Sequence, residues 1–303
     1  MLTLTPAETA LVELGHLLRA AAYQFVTVTP ESHRRVNARA ENATARTVRD
    51  ALGWSRPFAP DLLPPAMRAC LDRADMLVAD GSLLRSKVRF STLGTQLFVH
   101  SAYPTTDEHA VFFGPDTYRF CRYLARVAPA ATCVVDVGCG SGAGGLSLAD
   151  RVDRIVLTDI NRRALSFATI NAHLAGLQDR VEVCHGDLYA GVRGAFDLVV
   201  ANPPYLVDPS HRIYRDGGGA LGIDLGLRMV REGLARVAPG GSVMLYTGAP
   251  IVDGEDVVRT ALTNLAGSLS YEELDPDVFG EELETPTYAG VERLAAIGAC
   301  VRK

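Results

Sequence analysis

Asn202-Pro203-Pro204-Tyr205 follows an apolar run, Phe196–Ala201, that reads as a strand. Two adjacent prolines remove two backbone N–H donors and stiffen the chain, so carbonyl oxygens face the space beyond the strand without amide competitors. The Asn202 side-chain oxygen and the Pro203 carbonyl can each accept an N–H from a planar amide or amino nitrogen, which aims that nitrogen's lone pair at an electrophile. The Tyr205 ring can stack on the flat group, with Pro204 beside it, and can stabilise the positive charge that grows as nitrogen is alkylated. No strong base is required, because nitrogen sheds its proton after the transfer. Asn-Pro-Pro is also an ordinary turn after a strand, and the residues upstream decide between the two readings.

Three earlier strand ends carry matching signals. Asp136-Val137-Gly138-Cys139-Gly140 ends the apolar run Cys133–Val137, and Gly140, Gly142 and Gly145 make a literal G-x-G-x-x-G. That fingerprint serves several adenosine-binding folds. A carboxylate two residues before Gly138 would repel a pyrophosphate and attract an ammonium group, which favours an adenosine that bears an amino acid. Asp159, about 20 residues beyond the glycine loop, is placed to accept hydrogen bonds from both hydroxyls of a ribose. Gly186-Asp187-Leu188 offers a second carboxylate, suited to an adenine exocyclic amine, with the Leu188 N–H nearby. Blander roles exist for each: Asp136 can bond turn backbone, Asp187 can cap a helix, and Cys139 reads as a small filler with no histidine or lysine to activate it.

These ends need strands in parallel. Candidate strands at Cys133–Val137, Arg154–Leu157, Val181–Cys184, Phe196–Ala201 and Ser242–Tyr246 alternate with helix-length amphipathic segments, such as Asn161–Leu174. The pattern predicts a doubly wound α/β sheet of mostly parallel strands, with the apolar run Val291–Val301 added antiparallel to close it. Ligands of such sheets lie past the carboxyl ends of the strands, where all four signals fall.

Ahead of the sheet, Thr5-Pro6-Ala7-Glu8 reads as a capping box opening a helix, and proline- and glycine-broken helical segments follow to about Asp80. Lys87–Tyr103 alternates around Gly94 as a hairpin. The predicted organisation is a helical substrate-docking domain over 1–84, a hairpin linker over 85–108 and the sheet domain over 109–303.

The order and spacing of DVGCGSG, TDIN, GDL and NPPY resemble the class I S-adenosylmethionine-dependent methyltransferases. NPPY is similar to the motif of those that act on amino or amide nitrogen. The helical lobe, the hairpin and the stretch Tyr214–Gly222 after NPPY resemble most the release-factor glutamine-N5 methyltransferases. That resemblance implies a seven-stranded Rossmann-like sheet and S-adenosylmethionine as cofactor, held by Asp136, Gly138, Cys139, Gly140, Asp159, Ile160, Asp187, Leu188 and Asn202. It implies catalysis by Asn202, Pro203 and Tyr205, and acceptor contacts at Pro204, Tyr205, His211 and Tyr214, with no metal. The chain departs from the family at Phe112–Thr117, at Asp136 where glutamate is frequent, and at Asp275–Glu282, departures that bear on the acceptor rather than on the reaction.

The acceptor implied is a glutamine amide of a translation release factor. A free small-molecule nitrogen and a nucleic-acid base amine are the alternatives within the same chemistry, and a nicotinamide-dependent oxidoreductase is the alternative outside it. A net charge of -5 counts against a phosphate-collecting surface. The six cysteines lack any C-x-x-C pairing, and no run approaches bilayer length, so a cytoplasmic protein without membrane contact is expected.

Overall fold

The computed structural model describes residues 2–208, 212, 214–265 and 267–303. The chain forms two compact units. The first comprises the chain through Tyr118 together with 140–143 and 163–181; the second comprises 119–139, 144–162 and 182–303.

In the first unit, α1 (Pro6–Ala20) begins as its capping box requires: Glu8 N–H donates to Thr5 Oγ1 at 3.2 Å, and Thr5 N–H donates back to the Glu8 carboxylate at 2.8 Å. Short helices α2 (Pro30–Asn37), α3 (Val48–Leu52) and α4 (Pro65–Arg73) follow, α2 and α4 opening on a proline. Strands β1 (Leu77–Asp80) and β2 (Leu83–Ser86) form a small ribbon, and β3 (Val88–Leu93) and β4 (Gln96–Ser101) form the predicted hairpin about Gly94, whose φ is +58°. Leu14, Leu18, Leu52, Phe58, Phe90 and Val99 pack in one core with Phe167 and Ile170 from α7 (Arg162–Leu174). Buried Asn171 of α7 clamps β4: Val99 N–H donates to Asn171 Oδ1 at 2.8 Å, and Asn171 Nδ2 donates to the carbonyls of Val99 at 3.1 Å and Ser141 at 2.9 Å.

The second unit is built on one sheet, ordered β11-β12-β9-β8-β5-β6-β7. Its strands are β5 (Ala131–Val137), β6 (Val152–Asp159), β7 (Val181–His185), β8 (Leu198–Ala201), β9 (Ser242–Val252), β11 (Ser268–Asp275) and β12 (Arg293–Arg302), with a two-residue β10 (Glu255–Asp256) paired to β9. β6, β5, β8 and β9 run parallel, and their near-continuous valine and leucine content fits burial on both faces. The last apolar run is antiparallel, as predicted. It does not close an edge, however, but lies between β9 and β11. β11 escaped sequence reading because charged residues interrupt it, as suits an edge strand.

The expectation of a helix between every pair of strands fails twice. Only the single turn α6 (Ala143–Leu146) follows the glycine loop, and the described residues between β7 and β8 hold no helix. The remaining helices are α5 (Pro115–Val127), α8 (Asp224–Arg236) and α9 (Val257–Thr263). Among the described residues, no helix is long and apolar enough to cross a membrane.

Candidate functional site

Asp136 is the penultimate residue of β5 and is 2% exposed. Gly145 N–H donates to its Oδ2 at 2.7 Å, so the carboxylate bonds the turn backbone. Burial pushes this carboxyl from 3.8 up to about 7, the Gly145 hydrogen bond opposes the shift, and the charge of Asp159 adds to it. A buried carboxyl raised this far favours a cationic ligand, whose charge would restore the ionised form.

The glycines have distinct tasks. Gly138 and Gly140 adopt φ of +66° and +54°, a region costly for other residues. A Cβ on Gly145 would lie 2.8 Å from Leu157, so that glycine permits close packing of α6 on β6. The amides of Gly138 and Cys139 both donate to Thr158 O, at 2.9 and 3.0 Å, which ties the loop to the end of β6. The Cys139 thiol is buried and pushed well above its ordinary range by that burial, in keeping with a packing role.

Asp159 ends β6, buried, with Asn161 N–H donating to its Oδ1 at 2.8 Å. Ile160, directly after it, is 53% exposed, an apolar side chain at the end of the strand. His185 Nε2 lies 3.0 Å from Ile160 O, and Gly186 N–H donates to Asp159 O at 3.2 Å, so the ends of β6 and β7 are joined. Leu188 is buried at φ +48°, with Thr158 Oγ1 donating to its carbonyl at 2.8 Å. Asp187 is exposed and held by both nitrogens of the Arg228 fork, at 2.7 and 3.2 Å. Arg228 on α8 thus shares the charge assigned to the adenine amine. Sequence reading passed over it, although its i,i+4 pairing with Glu232 marks the exposed side of α8.

Asn202, half-buried, leaves β8 beside β5, and Pro203 and Tyr205 are buried. The Tyr205 ring rests on β9: a Cβ on Gly248 would come within 2.3 Å of Tyr205 Cδ2. Phe279 meets the same ring edge to face, with centroids 5.9 Å apart and planes at 64°. The chain after NPPY folds back on it. Leu206 N–H donates to Arg215 O at 3.3 Å and Gly217 N–H donates to Leu206 O at 2.8 Å, while Gly222, at φ +78°, passes so near Tyr205 O that a Cβ would lie 2.4 Å away. The stretch after NPPY is therefore laced to the motif through its backbone. Tyr214 is fixed by Arg212, whose guanidinium lies 5.8 Å from the ring centroid and forks onto Asp208 at 2.7 and 2.8 Å. His211 lies outside the described residues.

Residues 119–251 match the family model of the methyltransferase small domain. Among curated proteins, the release factor glutamine methyltransferase of Deinococcus radiodurans is 35% identical over 167 residues, 49% of this chain and 55% of that protein. The release factor glutamine methyltransferase of Moorella thermoacetica is 33% identical over 52% of this chain and 60% of its own length. A ribosomal protein uL3 glutamine methyltransferase of Neisseria meningitidis is 28% identical over 43% and 46%. The chain thus spans about half the length of the curated relatives it matches. Among solved structures, a T. thermophilus 16S rRNA methyltransferase aligns with a TM-score of 0.47 at 16% identity, covering 82% of this chain and 64% of that one. A methyltransferase from Pyrococcus furiosus aligns with a TM-score of 0.44 at 18% identity, covering 64% and 88%.

Within the matched residues 119–251, the ends of β5, β6, β7 and β8 bring Asp136, Asp159, Asp187 and Asn202 to one edge of one sheet. Sequence reading missed Arg228, Gly248, Phe279 and Tyr288, all of which meet these residues or the loop that carries them.

Proposed function

We propose that this protein transfers a methyl group from S-adenosylmethionine to a glutamine side-chain amide of a polypeptide, with a translation release factor as the acceptor. The observation that carries the reading is Asn202-Pro203-Pro204-Tyr205 leaving β8 next to β5, the strand that carries Asp136. The residues fit the cofactor: Asp136 suits its ammonium group, Asp159 the ribose, Ile160 a flat base, and Asp187 with Leu188 the base edge, while Gly138, Cys139 and Gly140 admit its close approach. Once bound, S-adenosylmethionine supplies a methyl group already activated by a sulfonium. The protein's task is then orientation. The Asn202 side-chain oxygen and the Pro203 carbonyl hold the amide N–H groups, Pro204 and Tyr205 face its plane, and Tyr214 lines the approach.

Charge favours a polypeptide over a nucleic acid. The segment that reaches Tyr205 carries Asp275, Asp277, Glu281, Glu282, Glu284 and Glu292 and no lysine or arginine, which would repel phosphates. The names of the curated relatives, glutamine methyltransferases of release factors and of a ribosomal protein, support the same class of acceptor. Residues 1–84 act in this reading as the docking domain for the protein substrate.

The test is mass spectrometry of isotope-labelled methyl transfer, with release factor, ribosomal RNA and a metabolite extract offered in parallel. Label on a glutamine of the release factor is the expected result. Label confined to RNA or to a small molecule would overturn the acceptor, and no transfer at all would overturn the activity.

A further inference from the structure

Between β11 and β12 the chain departs from the sheet through residues 276–292 and lies against the NPPY loop at successive points. Phe279 meets the Tyr205 ring. Val207 N–H donates to the hydroxyl of buried Tyr288 at 3.0 Å, and Glu282 pairs with Arg215 in the returning loop. The strap is fastened to the sheet by Val278 N–H donating to Leu294 O at 2.7 Å and by Arg293, which bonds both Pro276 O and Glu273.

Phe279 itself sits at φ +58° and ψ +41°, left-handed backbone in which a side chain bearing Cβ is strained and glycine is at ease. Gly280 follows it, and a Cβ there would be 3.7 Å from the nearest atom, so the turn could have used a glycine one residue earlier at no steric cost. A phenylalanine occupies the strained place instead, and its ring lies edge on to Tyr205. Gly248 lies against the same ring, so Tyr205 is met by two residues distant from it in sequence.

We propose that Phe279 is a positioning residue of the methyl-transfer site, acting through Tyr205 to hold the ring in the plane that the acceptor amide stacks on. The proposal rests on the reading of Asn202 to Tyr205 as the acceptor site. Removing the ring leaves cofactor contacts intact and frees Tyr205 to rock, so turnover falls while cofactor affinity is retained.

The experiment compares wild type with Phe279→Gly, Phe279→Leu and Phe279→Tyr in the full chain, with release factor as acceptor. Phe279→Gly removes the ring without straining the turn, and kcat should fall about 10-fold, with the Kd for S-adenosylmethionine unchanged within about twofold. Phe279→Leu keeps bulk without the aromatic edge and should lose activity likewise, whereas Phe279→Tyr should restore it. Hydrogen exchange at the Leu206 and Val207 amides should quicken about 10-fold in Phe279→Gly. Should wild type label no acceptor, the functional reading fails, and the exchange measurement then decides the role of Phe279. Exchange equal to wild type, or kcat retained in both Phe279→Gly and Phe279→Leu, overturns the proposal.

Discussion

Tyr205 and Gly248 are in contact through the absence of a side chain: a single methyl added at Gly248 would stand 2.3 Å from Tyr205 Cδ2 and 2.6 Å from Cε2. Gly248 lies inside β9, paired with Ala296 of β12, where a glycine otherwise weakens a strand. Its place is explained by the ring above it. Gly248→Ala should displace that ring and lower kcat about 10-fold or more, with S-adenosylmethionine affinity by calorimetry unaltered. A variant with wild-type kcat would show that the ring plane is immaterial.

In the proposed reaction, Asn202 offers the amide oxygen that orients the acceptor nitrogen. Asn202→Ala should leave cofactor binding nearly unchanged and reduce turnover about 100-fold, the scale seen when one oriented transition-state contact is lost. Single-turnover kinetics separates this from slower product release. Turnover within a few-fold of wild type would remove Asn202 from the mechanism.

On the proposed reading, Asp136 should make cofactor binding pH-dependent. With its carboxyl raised to about 7 by burial, the folded protein prefers it protonated, so its contribution to stability is present below 3.8 and is lost as pH rises through about 7. A ligand ammonium group needs the ionised form, so affinity for S-adenosylmethionine should strengthen as pH rises towards and past 7. Asp136→Asn should bind more weakly and flatten that profile in titrations between pH 5.5 and 8.5. A profile in the variant as steep as in wild type would assign the pH dependence elsewhere.

Asp159 and Asp187 should contribute unequally. Asp159 is buried, whereas the Asp187 carboxylate is exposed and already shared with Arg228. Asp159→Ala should weaken S-adenosylmethionine binding by about 10-fold or more, as expected for hydrogen bonds to a charged group worth about 1.5–3 kcal/mol. Asp187→Ala should cost less, and Arg228→Ala should leave the melting temperature nearly unchanged, since exposed ion pairs contribute little. Equal losses in the two aspartate variants would contradict this ordering.

Asn171 is the stability test. Asn171→Ala strands both Val99 backbone groups inside the first unit and removes the bond to Ser141 O, so unfolding free energy should drop by about 2–4 kcal/mol. Denaturant titration with an unchanged m-value would report it. Asn171→Asp, which keeps an acceptor for Val99 N–H but loses the donor, should be destabilised as well.

Much of the site was legible because its parts are local. A strand of β-branched residues ending in Asp136-Val137-Gly138, or in Asn202-Pro203-Pro204, prescribes its own turn through glycine and proline backbone limits. Parallel alternation then brings such ends to one edge of a sheet. Composition and periodicity could not show that α6 would shrink to one turn, nor that no helix would separate β7 from β8, because those segments contain enough apolar residues to imitate helices. Contacts across long sequence separations were beyond its reach for a different reason. That Gly248 underlies Tyr205, that Phe279 meets the same ring and that Arg228 grips Asp187 depend on the placing of β12 between β9 and β11 and of α8 beside β8, which no local pattern encodes. The order of residues determined which chemistry the strand ends carry; tertiary packing decided which side chains hold that chemistry in place, since packing alone joins residues that the chain keeps apart.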